Sequence, residues 1–160
     1  MTPREILDEL PESVAEACAE LFASYPIEQA MSSPVVLEGQ MGLDPIVEKA
    51  LESAAFKDNP YLIAGIWLYV DELHKSHTVS QGLNDATGSY WHAIMHRREG
   101  DFGNSKYWLR QVGHHEACAY TEGYDPVQLV DMAEDGDEEV PNVQRKEWAA
   151  LFVWCARHLQ

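Results

Sequence analysis

The chain has 160 residues, 46% hydrophobic and 24% charged, with a formal net charge of −16. That length suits one domain with a proper core, and the balance is that of a globular chain rather than a disordered one. So large an acidic excess disfavours diffuse binding to nucleic acid or to an anionic membrane surface, because both need a basic footprint.

Residues Pro3 to Ser24 read as an amphipathic helix, with Pro11 as a point of breakage or kinking. The opening stretch MTPREILDELPESVAEA is acidic and has no apolar run, so it does not read as a secretory signal. The segment 25–43 carries Pro26, Pro34, Gly39 and Gly42 and reads as an irregular arm or loop. Asp44-Pro45 and Asn59-Pro60 are both helix starts, a capping side chain followed by proline at the first helical position. The first predicts a helix to about Phe56. The second predicts one long helix from Tyr61 to about Gln81, apolar nearly all round in its first half and stopped by Gly82. Its apolar run, Tyr61 to Val70, falls short of the roughly 18 residues of a membrane span.

A short connection then leads to a helix over Ser89 to Glu99, expected to lie antiparallel to its predecessor. Further helices are expected over Asn104–Val112, Val127–Ala133 and Val143–Leu159, with an acidic loop EDGDEE at 134–139. The fold class is therefore all-α: a single helical domain over 1–160, built as a compact bundle of about six helices. Cys18, Cys118 and Cys155 are widely spaced with no metal-type pair, which reads as reduced thiols in a cytoplasmic protein.

The densest chemistry lies between Thr87 and His115, which holds four of the seven histidines. On a helix His96 lies about 40° round from His92, and Glu99 about 20° to the other side, so the three share one narrow face. On the preceding helix the apolar stripe of Ile63, Ile66, Trp67 and Val70 runs on into His74, His77 and Gln81. Folding the hairpin about 82–87 brings His77 level with His92 and His74 level with His96. If those faces meet, the imidazoles and Glu99 converge in the bundle interior. Such a mixed N/O set suits a divalent transition metal such as zinc. The competing reading is a satisfied hydrogen-bond network. The pattern is not HExxH, since Ala93 follows His92, and the Glu-x-x-His pairs of di-iron bundles are missing.

Arg97, Arg98, Lys106 and Arg110 gather four of the eleven basic residues. They either focus a small anionic ligand, for which arginine offers a bidentate fork, or pair internally with Glu99, Asp101 or other acids. Ser76 and Ser89 lie near histidines, but nothing resembles GxSxG, and GDFGNSK is not a phosphate loop. His114-His115 follows Gly113 as a helix end, or swings into the same site.

The strings SHTVSQ (Ser76 to Gln81) and TGSYWHAIMHRREGDFGNSKYWLRQVGHH (Thr87 to His115) resemble a family of uncharacterised microbial all-helical proteins. The similarity spans about Leu62 to His115. It rests on His77, Gln81, Gly88, Trp91, His92, His96, Arg97, Glu99, Asp101, Asn104, Tyr107, Trp108, Arg110, Gly113 and His115. The chain departs from the pattern at Gln111, where a second arginine falls, and at Glu116, where proline falls. His74 is not carried by the resemblance. The resemblance implies a site without supplying a reaction.

These readings lead to a histidine-rich interior site for a divalent metal or small anionic ligand. His77, His92 and His96 are the expected metal ligands. Glu99 is expected as a fourth ligand or general base, and His115 as a second catalytic group. Arg97, Arg110, Gln81 and Trp91 are expected at the ligand. Metal-assisted hydrolysis is the reaction class if the protein is an enzyme. The alternative is a non-enzymatic scaffold or interaction domain, whose acidic surface or arm meets a partner such as a second copy of the chain.

Overall fold

The computed structural model describes residues 1–121 and 123–159. The helix that bears the histidine pair, α6, runs over Ala86–Glu99. Asp85 starts it by accepting from the Gly88 N–H at 2.8 Å. Gly100 ends it in the left-handed region at φ 88°. Its N–H and that of Asp101 return to Arg97 and His96, which closes the last turn. Every residue from Thr87 to Arg98 is buried, so this rod is wrapped on all sides.

Four helices do the wrapping: α4 (Pro60–Tyr69), α5 (Leu73–Ser80), α7 (Phe102–Val112) and α9 (Val140–His158). α4 is buried almost throughout. Gly65 is what lets it close on its neighbours. A Cβ there would lie 2.8 Å from the Trp91 ring and 3.0 Å from Phe152. Across the same contact Trp148 Nε1 donates to the Gly65 carbonyl at 2.8 Å. The remaining helices are α1 (Pro3–Leu7), α2 (Glu12–Ser24), α3 (Asp44–Leu51) and α8 (Pro126–Glu134), with short 3-10 turns at Met41–Leu43 and Glu116–Tyr120.

All regular structure among the described residues is helical. It comes as nine α-helices, where the sequence predicts about six. Two breaks make most of the difference. The stretch from Pro3 divides into α1 and α2 at Pro11, whose missing N–H cannot join the ladder. The helix expected over Tyr61–Gln81 divides into α4 and α5 at Asp71, which stands at φ 60°. There the Asp71 and Glu72 N–H groups return to Leu68 and Trp67, each at 3.0 Å. That is the bonding pattern of a glycine-capped helix end, built on an aspartate. The Arg98 guanidinium meets the Asp71 carboxylate at 2.9 Å, which offsets the backbone cost. The third helix also stops early, at Leu51 rather than near Phe56.

Residues 25–40 form no regular element. Side chains from the bundle hold their carbonyls: Arg145 on Ala30, Gln144 on Met31 and Ser33, and Arg98 on Ser33. No helix among the described residues is long and apolar enough to cross a membrane.

Two serines set the flanks of the site in the same way. Ser76 on α5 donates to the Ala64 carbonyl at 2.8 Å, and Ser105 on α7 donates to the Ala93 carbonyl at 2.7 Å. Each ties a helix tightly to the one before it. His77 and Asn104 are their chain neighbours.

Candidate metal centre

α5 and α6 bring three imidazoles together. The ligand nitrogens of His77, His92 and His96 all lie within 4.8 Å of one another. His77 Nε2 and His92 Nε2 are 3.1 Å apart. The His92 and His96 rings stack at 4.7 Å, as one turn of helix dictates. Two nitrogens bound to one tetrahedral metal at about 2.0–2.1 Å are roughly 3.4 Å apart, and a direct N–H···N bond is about 3 Å. The observed spacing sits between the two. His92 and His96 are buried, and His77 is half-buried.

The surroundings keep two of these imidazoles unprotonated. Burial lowers the pKa of His92 to about 4, with the neighbouring His96 and His77 adding to the shift. Burial also lowers that of His77, and His96 adds to it. His92 and His77 therefore offer lone pairs rather than positive charge. α7 closes over it. Trp108 stacks on His92 at 4.0 Å and 18°. Asn104, one turn earlier, places its amide Nδ2 3.2 Å from His96 Nε2.

Glu99 lies on the far edge of His96. Its carboxylate accepts from His96 Nδ1 at 2.6 Å. That bond leaves the other nitrogen, Nε2, without a proton, as carboxylates do for metal-bound imidazoles. Glu99 thus pairs with His96 and does not join the cluster of three imidazoles. With Asp101 it forms a second, exposed group around His96.

The other expected site residues lie elsewhere. Arg97 is 2% exposed, and its Nη1 pairs with Glu147 of α9 at 2.9 Å. One residue on is 100° round the helix, so Arg97 leaves the histidine face. Its guanidinium is therefore engaged by a buried acid and does not orient an anion at the trio. Arg110 is exposed, 5.8 Å above the Tyr107 ring. Gln81 is exposed at the end of α5. Trp91 is wholly buried against Gly65, as a packing residue. His74 is exposed and does not reach the interior.

His115 is buried but belongs to another cluster. Its Nδ1 accepts from the Ala117 N–H at 3.1 Å, and its Nε2 faces Thr87 Oγ1 at 3.0 Å. An accepting Nδ1 must be bare, so Nε2 carries the proton and donates to Thr87. Burial holds its pKa below the ordinary value. Both nitrogens are committed: His115 caps the 3-10 turn, packs between Tyr90 and Trp154, and is not brought to the trio.

Asn104 and Trp108 also flank the trio, and the sequence reading named them among the residues that carry the resemblance without giving them a place at the site. The available signal was their spacing. They stand four apart on α7, as His92 and His96 stand four apart on α6. Comparison of the chain with family models, with curated proteins and with solved structures gives no match.

Proposed function

We propose that this protein binds a divalent transition metal, zinc first among them, through His77, His92 and His96. The observation that carries this reading is the convergence of three imidazoles from two helices within 4.8 Å. The Glu99 carboxylate behind His96 supports it, because it fixes the tautomer that leaves Nε2 free. A metal in such a place supplies a Lewis acid and a bound water acidic near neutral pH, the chemistry of metal-assisted hydrolysis. The chain's own residues then orient His96, exclude water on the Trp108 side and leave His77 the least buried of the three. A small anionic ligand would meet the metal directly, since Arg97 and Arg110 are not gathered there. A cytoplasmic setting fits the three free thiols.

A second reading keeps the same contacts without a metal. The His77–His92 spacing is also that of a hydrogen bond, and His96 has a partner at each nitrogen. In that reading the cluster is a structural network in a binding domain.

Elemental analysis after zinc loading and desalting separates the two. The expected result is about one zinc per chain. A chelator should remove it, and His92→Ala and His96→Ala should each abolish it. Folded protein that leaves the column metal-free would favour the network and end the metal reading.

A further inference from the structure

The trio would fill three corners of a tetrahedral metal site and leave the fourth to another donor. Asn104 projects from the first turn of α7 with its amide Nδ2 3.2 Å from His96 Nε2, the nitrogen that Glu99 leaves bare. A second pair, His77 Nε2 and His92 Nε2, is 3.1 Å apart. Two ligand atoms on one tetrahedral zinc are roughly 3.4 Å apart. Both pairs, one of two imidazoles and one of an imidazole and an amide, are thus close to the spacing of two ligands on one ion, and they share the histidine trio.

Resting on the metal reading above, we propose that Asn104 supplies the fourth ligand through its amide oxygen. A turn of the amide about its last torsion exchanges Nδ2 for Oδ1 and changes little else in position. Without metal, the Nδ2–H group donates to His96 Nε2 and holds that nitrogen in place. With metal, Oδ1 takes the position that a hydrogen bond held before. The other candidates are less well placed. Glu99 is held on the opposite edge of His96, and His74 is exposed. The helix that carries Asn104 is also firmly set. Asp101 caps it by accepting from the Asn104 N–H at 3.2 Å, and Ser105 ties it to α6.

The donor set then has three imidazoles and one neutral oxygen. A neutral amide is a weaker ligand than a carboxylate or thiolate. It yields its position to water or to an oxygen of a substrate such as a carboxylate or phosphate ester. The centre is therefore of the exchangeable kind rather than a closed structural site.

Cobalt(II) and zinc, each alone, test this on the full chain. Wild type should bind cobalt with the intense visible absorption of a four-coordinate ion. Asn104→Ala should weaken binding about tenfold or more and fade that absorption as waters enter. Asn104→Asp decides between ligand and hydrogen-bond donor. A carboxylate ligates more strongly than an amide, so binding should tighten and the band should persist. An ionised aspartate cannot donate to His96, so a residue that acts only as a donor would make Asp behave like Ala. An acid at this first-turn position suits the helix dipole, and the metal-free melting temperature of Asn104→Asp should not fall. His74→Ala should change nothing. Asn104→Ala binding as tightly as wild type with the same spectrum, or Asn104→Asp matching Asn104→Ala, overturns the assignment while leaving the trio intact. Wild type that takes up neither ion overturns the trio itself.

Discussion

The two sides of α6 bury polar groups in opposite ways. On one side His92 and His96 meet His77, Asn104 and Trp108, and burial holds the pKa of His92 and His77 down. On the other, Arg97 and Arg98 meet Glu147 and Asp71 as ion pairs, with both arginines at most 2% exposed. The acids on the arginine side also serve other groups, since Glu147 accepts from Tyr90 at 3.1 Å. Arg97 nevertheless keeps Nε and Nη2 without a hydrogen-bond partner among the described residues. Charge is tolerated inside only where an opposite charge answers it. Imidazoles need no such answer when unprotonated, and that leaves their lone pairs available to a ligand. One helix therefore carries a side of ion-paired arginines and a side of clustered imidazoles.

The largest expected effect tests that division. Glu147→Ala leaves Arg97 charged and buried without its partner. It should cost about 3–5 kcal/mol of stability in urea titration. A double variant, Arg97→Met with Glu147→Leu, removes both charges and should recover most of that loss. Zinc bound per folded chain should stay as in wild type in the double variant. A single variant within about 0.5 kcal/mol of wild type, the range of ordinary surface changes, would show that the arginine side is not the structural one.

Much of this arrangement is written locally. Asp85 and Gly100 mark the ends of α6, and helical phase alone puts His92 and His96 on one face. The connection after Ser80 turns α5 back on α6, so counting from that end brings His77 to His92. What fails is the count further back. At Gly100 and Gly136 a glycine marks the left-handed helix end; at Asp71 nothing in the local sequence does. The aspartate holds that conformation with Arg98 as its partner, a residue from another helix, and no local pattern names such a partner. Reading straight through Asp71 merged α4 with α5. Separately, the hairpin count placed His74 level with His96, whereas on α5 His74 lies about 60° round from His77 and is exposed. Ion pairing of the arginines stood in the sequence as the alternative to an anion site, and Arg97 and Arg98 take that alternative. Arg97's acid, however, is Glu147 on the last helix and not the nearby Glu99 or Asp101.

A smaller effect should appear with pH. Burial, helped by neighbouring imidazoles, puts His92 near 4 and His77 below its usual 6.5. Below 6.5 the unfolded chain takes up protons that the folded one refuses, so stability falls as pH drops. For His92 the decline runs from about 6.5 to about 4. His92→Gln lacks this term, and its urea midpoint should fall less steeply across the same window. Identical slopes in the two proteins would mean that His92 protonates as readily folded as unfolded, and the lone-pair side would lose its basis.

The smallest effect sets one carboxylate against another. Glu147 is 2% exposed and answers a buried charge, whereas the Glu99 side chain is 41% exposed and touches only an imidazole edge. Glu99→Gln keeps an acceptor for His96 Nδ1 but removes the charge that makes the ring a better donor to metal. Stability should change by no more than about 0.5 kcal/mol, since glutamine keeps the acceptor and the carboxylate is itself partly exposed. Zinc affinity should fall about tenfold, the usual cost of weakening the group behind a ligating histidine. Competition with a chromophoric chelator measures it at constant fold. An affinity unchanged by Glu99→Gln would reduce Glu99 to a surface contact. A loss of stability as large as that of Glu147→Ala would mean that the histidine side, too, is chiefly structural.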